Sequence, residues 1–195
     1  MNQTIGFYDE NAEDFFQRSV DADMARGHAD FTALVAPGGR ILDAGCGSGR
    51  DSLAFARLGF RVTPMEASAK LAALASAHTG LPVEVMTFDQ IAWREEFDGV
   101  WACASLLHVP RAELPAAVTR LRNALVPGGV LWMSFKYGAQ ERFANSRHFT
   151  DLDEAGAGPL IEAVGGLSLI SLTVTDDARE DRPGERWLSV LCRRR

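Results

Sequence analysis

Asp43 is followed by glycine at positions 45, 47 and 49, and this alternation is the part of the chain best suited to holding a nucleotide. Each of these glycines lacks a Cβ and tolerates positive φ, so the backbone there can turn sharply and lie close against a ligand. Ile41 and Leu42, apolar between chain-bending neighbours, read as the centre of a short buried strand over residues 40–43. Beyond the glycines, a polar start at Asp51 gives way to Leu53, Ala54, Phe55 and Leu58, the pattern of a helix. The free amides at its start favour polar or anionic ligand groups. Strand, glycine turn and helix together make a nucleotide-binding corner.

Spacing narrows the choice of nucleotide. A dinucleotide fingerprint would carry its third glycine at position 50, where this chain has arginine. A phosphate-cradling P-loop would end in lysine followed by Ser or Thr, and no lysine lies there. Glu66 closes the second strand, where its carboxylate can receive two ribose hydroxyls. Asp89 closes the third and can accept from an adenine amino group or neighbouring backbone. These strand ends open on the crevice outside their carboxyl termini, the usual ligand side of such a sheet.

The elements that must position these groups alternate regularly. Residues 7–35 read as mostly helical, interrupted at Gly27 and ended by Pro37, Gly38 and Gly39. After the corner, strands are expected over residues 61–66, 83–88, 97–104 and 130–137. A helix capped by Ser68 and another over residues 112–125 lie between them. Residues 136–149 read as a polar and aromatic loop, and Thr150 with Asp153 as a capping box opening a helix to about residue 164. Strands over residues 168–175 and 187–193 flank a charged loop at 176–186. Right-handed crossovers then place helices on both faces of a mostly parallel sheet. The expectation is one α/β domain over residues 1–195, with residues 1–36 as an amino-terminal helical cap.

Composition bounds the setting. An apolar fraction of 47% over 195 residues supports one continuous core. The net charge of −6 argues against a broad nucleic-acid footprint. The start has no basic head followed by an apolar run, and no apolar stretch is long enough to span a bilayer. Cys46, Cys103 and Cys192 are odd in number and widely separated, which fits reduced thiols in the cytoplasm and offers no clustered metal ligands.

Taken in order, DAGCGSG at 43–49, Glu66 ending RVTPME, Asp89 in FDQI, FDGVWACASLLHVP from Phe97 and LRNALVPGGVLWMSF at 121–135 resemble the successive motifs of class I S-adenosylmethionine-dependent methyltransferases. A weaker resemblance connects the chain to small bacterial tellurite-resistance-type methyltransferases. The family resemblance implies a Rossmann-like, seven-stranded sheet with an antiparallel last strand. It also implies S-adenosyl-L-methionine as methyl donor and S-adenosyl-L-homocysteine as product. Asp43 would orient the glycine loop and approach the methionine amino group, while Gly45, Cys46, Gly47 and Gly49 would lie against methionine and ribose. Glu66 and Ala67 would serve the ribose end. Asp89, Gln90 and Ile91 would serve adenine, and Ser105 and Leu106 the methyl end. Tyr8 lies in a segment resembling the one that closes over the cofactor in many family members.

On the acceptor side, His108 follows the fourth strand and titrates near neutrality, making it the first candidate for a base or substrate contact. Tyr137 can position the acceptor beside Lys136. Arg142, Arg147 and His148 can hold an anion, and Arg186 with Trp187 can line the pocket. The expected partner is a small-molecule acceptor, with no membrane or nucleic-acid partner, for a monomer or weak homodimer. A tRNA-nucleoside methyltransferase and a non-catalytic S-adenosylmethionine-binding regulator or scaffold are the alternatives.

Overall fold

The computed structural model describes residues 2–177 and 184–195. Its seven-stranded sheet runs β3 (Glu84–Val85), β2 (Arg61–Glu66), β1 (Arg40–Ala44), β4 (Phe97–Ala102), β5 (Leu125–Lys136), β9 (Arg186–Arg194) and β8 (Leu167–Asp176) from edge to edge. Strands β3 to β5 pair in parallel, and β9 runs antiparallel to both β5 and β8. This is the seven-stranded sheet with an antiparallel last strand that the resemblance implies. The reversal of order between β1 and β4 opens the crevice expected at a topological switch point.

Both faces are covered, which is why β4 shows a nearly unbroken apolar run in place of alternation. On one face, Leu42, Val100 and Leu131 meet Val118 and Leu121 of α6 (Leu114–Ala124) and Leu160 of α7 (Glu154–Val164). On the other, Ile41, Trp101 and Trp132 meet Phe31 of α3 (Ala25–Thr32) and Phe55 of α4 (Arg50–Arg57). Trp101 and Trp132 stack with ring centroids 3.8 Å apart, so this second core is built largely from aromatic surface. Helix α5 (Ala69–Thr79) follows β2 and is capped by the Ser68 hydroxyl, which accepts from the Leu71 amide at 3.1 Å. Among the described residues no helix is long and apolar enough to cross a membrane.

Several local expectations change. The amino-terminal segment forms α1 (Asn2–Glu10), α2 (Ala12–Ser19) and α3, but its interruption does not fall at Gly27, which lies inside α3. A Cβ at residue 27 would come within 3.1 Å of the Trp101 ring, so this glycine serves close helix-to-sheet packing. The third strand shortens to two residues because the Thr87 amide is accepted by the Gln90 side chain, turning residues 88–90 into a 3₁₀ turn. The supposed loop after β5 contains a hairpin, β6 (Glu141–Ala144) and β7 (Arg147–Thr150). Asn145 and Ser146 join these strands with φ of 49° and 58°, the double positive-φ turn that suits a tight hairpin. Thr150 belongs to β7 and donates to the Val109 carbonyl; Asp153 alone caps α7, accepting from Gly156. Within the charged stretch expected at 176–186, residues 178–183 lie outside the described residues.

Candidate active site

The carboxyl ends of β1, β2, β4 and β5 surround a cavity of about 440 Å³, roofed in part by α1 and reached by the β6–β7 hairpin. The glycine turn forms part of its wall. The amides of Gly45 and Cys46 both donate to the Met65 carbonyl at 2.9 Å, tying the turn to β2. Gly45 has φ of +86°, and a Cβ on it would collide with the Cβ of Ser105, whose hydroxyl donates to the Ala44 carbonyl at 2.6 Å. Strands β1 and β4 can therefore meet this closely only through glycine. Gly45→Ala should destabilise the protein by roughly 2–5 kcal/mol from left-handed strain and overpacking together. Urea unfolding with an unchanged midpoint would contradict that close approach.

Glu66 lies under the same turn with only 9% of its surface exposed. Its Oε2 accepts from the Gly47 amide at 3.0 Å, and its Oε1 from Ala67 at 2.9 Å and Ser68 at 3.0 Å. Burial raises the carboxyl above its ordinary range, against the pull of these three amides. With two lone pairs per oxygen, Oε1 is filled and Oε2 retains one acceptor position.

A buried polar cluster lies beside the turn. Asp51 accepts from Arg50 Nε at Oδ1 and from Arg50 Nη2 at Oδ2, both 2.8 Å, and from Trp101 Nε1 at 2.9 Å. Nε2 of His28 lies 2.8 Å from Oδ1. Burial alone would raise the Asp51 carboxyl, but Arg50 and His28 more than offset it and hold it below the ordinary carboxylate range. Arg50, on the cavity wall, also approaches Cys103 Sγ at 3.6 Å. Sequence reasoning missed this cluster; its only signal was an arginine displacing the third glycine of a dinucleotide fingerprint.

At the other end of the cavity His108 is fully engaged. Its Nδ1 lies 2.7 Å from the His148 carbonyl and its Nε2 lies 2.8 Å from the Tyr8 hydroxyl. A carbonyl only accepts, so Nδ1 carries the proton and Nε2 accepts from Tyr8. Burial, joined by the charge of Arg147, pushes the imidazole down to about 4, which keeps it neutral near neutral pH.

The cavity wall thus includes Tyr8, His108, Lys136, Arg147 and Trp187 at one end. Gly45, Cys46, Gly47, Glu66, Ala67 and Ser105 line it toward the other. The remaining candidates stand off it. Asp43 is buried behind the turn, where Oδ2 accepts from Ser52 at 2.5 Å and Oδ1 has no partner. Gly49 is a left-handed helix cap pressed against Thr79 and Ala75, and Leu106 is core. Asp89 is exposed and accepts from the Thr87 hydroxyl at 2.5 Å. With Gln90 and Ile91 it yields the wall to Met86, Thr87 and Phe88. Tyr137 donates to Glu154 at 2.9 Å with Arg186 over its ring at 4.3 Å, and Arg142 pairs with Asp151.

Residues 41–129 match the family model described as a methyltransferase domain. A ubiquinone biosynthesis O-methyltransferase from Xanthomonas campestris pv. campestris (strain B100) is 36% identical over 109 residues, covering 52% of this chain and 44% of the relative. The chain thus spans less than half the length of that relative. Among solved structures, the Burkholderia thailandensis 1,6-didemethyltoxoflavin-N1-methyltransferase, with 1,6-didemethyltoxoflavin and S-adenosylhomocysteine bound, superposes with a TM-score of 0.79. Its identity is 21%, with 97% of this chain and 86% of that one covered. The [4+2]-cyclase SpnF superposes with a TM-score of 0.72 at 18% identity, with coverage of 97% and 94%. The shared architecture is the class I methyltransferase fold.

Proposed function

We propose that this chain, with its class I methyltransferase fold, binds S-adenosylmethionine in the crevice and transfers the methyl group to a small-molecule acceptor. A fold shared with a cyclase does not fix a reaction, so the reading rests on the site. Its main support is the pairing of Glu66 with the glycine turn: a buried carboxylate keeps one acceptor position free beside backbone that tolerates no Cβ at Gly45. That combination suits a ribose hydroxyl with the methionine portion laid against the turn. Met86, Thr87 and Phe88 would border adenine, and the cavity continues past Ser105 to an acceptor end at Tyr8 and His108.

When bound, the donor supplies a methyl group on a positively charged sulfur. The chain's own contribution is alignment and exclusion of water: Tyr8 and His108 form one wall, Lys136 and Trp187 another, and α1 covers the crevice. His108, proton on Nδ1 and Nε2 already accepting from Tyr8, serves better as a fixed wall than as a free base. The methyltransferase match and the neighbour with 1,6-didemethyltoxoflavin bound also support a small acceptor. Asp23, Asp30, Asp176 and Asp177 along the cavity wall disfavour a polyanionic RNA. A cytoplasmic setting is supported by three cysteines that form no disulfide.

Calorimetric titration with S-adenosylmethionine should show one binding site. Mass spectrometry over a panel of oxygen, nitrogen and sulfur acceptors should then show a methylated product appearing with S-adenosylhomocysteine. No binding would overturn the assignment, and binding without product across the panel would favour a regulatory protein.

A further inference from the structure

The β6–β7 hairpin carries two arginines with different fates. Arg142 is neutralised by Asp151. Arg147 reaches the cavity wall, where its guanidinium lies 4.3 Å from the Phe7 ring centroid, 5.1 Å from Phe149 and 5.9 Å from Tyr8. It has no carboxylate partner among the described residues, and its buried Nε has no hydrogen-bond acceptor. Aromatic rings cover the face of a guanidinium and leave its donors along the edge, where a planar fork matches the two oxygens of an acid group.

Two further cations of the cavity wall, Lys136 near Arg147 and Arg50 beside the glycine turn, are committed. Lys136 pairs with Glu185, and Arg50 is held by Asp51. His108, the immediate neighbour through the His148 carbonyl, is engaged at both ring nitrogens. A partly desolvated cation that meets no carboxylate among the described residues is unfavourable, and a bound anion would relieve it.

We propose that Arg147 recognises the acceptor and that the acceptor is a small organic oxyanion, a carboxylic or phosphonic acid. The proposal rests on the methyl-transfer reading, because it treats the His108 end of the cavity as the acceptor site.

The test titrates S-adenosylhomocysteine first. It then titrates the loaded protein with benzoate, phenylphosphonate and the uncharged benzamide, whose ring can meet Phe149 in the same way. At least one anion should bind, with benzamide weaker by about 10- to 100-fold. Arg147→Gln should lose a similar factor for the anion while holding S-adenosylhomocysteine as the wild type does, which also reports that it folds. Arg147→Lys should recover part of the loss. Whichever anion binds tells carboxylate from phosphonate. Benzamide binding equal to the anions, unchanged anion affinity in Arg147→Gln, or neither anion binding at millimolar concentration would overturn the proposal. Failure of S-adenosylhomocysteine to bind wild type would instead overturn the methyltransferase reading, and this inference with it.

Discussion

Asp51→Ala will cost about 3–5 kcal/mol of folding stability, the range expected when one partner of a buried ion pair is removed. The carboxylate is 4% exposed and joins three elements: Arg50 at the start of α4, His28 from α3 and Trp101 from β4. Its loss leaves Arg50, largely buried, charged without its carboxylate and leaves the Trp101 indole N–H without its acceptor. A urea midpoint shift corresponding to less than about 1 kcal/mol would mean that these bonds contribute no more than an ordinary substitution site.

The acid limb gives the same prediction a second reading. The folded carboxyl of Asp51 lies below the ordinary range, so its stabilisation is present above that range and is lost as pH falls through it. The wild type should therefore lose stability on acidification from about pH 5 to about pH 3 more steeply than Asp51→Ala. Asp43 has the opposite sign. Burial, and then repulsion from Asp51, pushes its carboxyl up to about 8, so its contribution is complete at acid pH and is lost as pH rises toward that value. Equal acid slopes in the two proteins would remove Asp51 as the group responsible.

What was legible in the chain was what depends on near neighbours. The glycine turn and the acid closing β2 could be read because strand, turn, helix and strand follow in order within thirty residues, each with its own local signal. Asp51 could not be read that way, since its partners His28 and Trp101 lie 23 and 50 residues distant and meet it only when α3 and β4 pack on α4. The same limit applied to the hairpin. Arg142 and Arg147 were equivalent as sequence, but one meets Asp151 and the other is inserted beneath Phe7. Asp89 failed to reach the cavity for a local reason that was present in the chain: Thr87 takes its carboxylate in a tight turn.

Glu66→Gln should separate binding from architecture at the site on which the proposed function depends. The two side chains are nearly the same size, but an amide has one acceptor oxygen and an NH₂ that only donates. Whichever way the amide is turned, its NH₂ faces either the Gly47 amide or those of Ala67 and Ser68, setting donor against donor. The remaining acceptor position at Oε2 is weakened or reversed as well. Each unsatisfied buried group costs about 1–3 kcal/mol, so affinity for S-adenosylmethionine should fall roughly 5- to 150-fold. The loss of stability need not be as large, because substitution also relieves a carboxylate whose pKa burial has raised. Calorimetry and urea unfolding on the same preparation distinguish the cases: an affinity loss exceeding the stability loss places Glu66 at the ligand, whereas unchanged affinity with lowered stability would reduce it to a brace for the glycine turn.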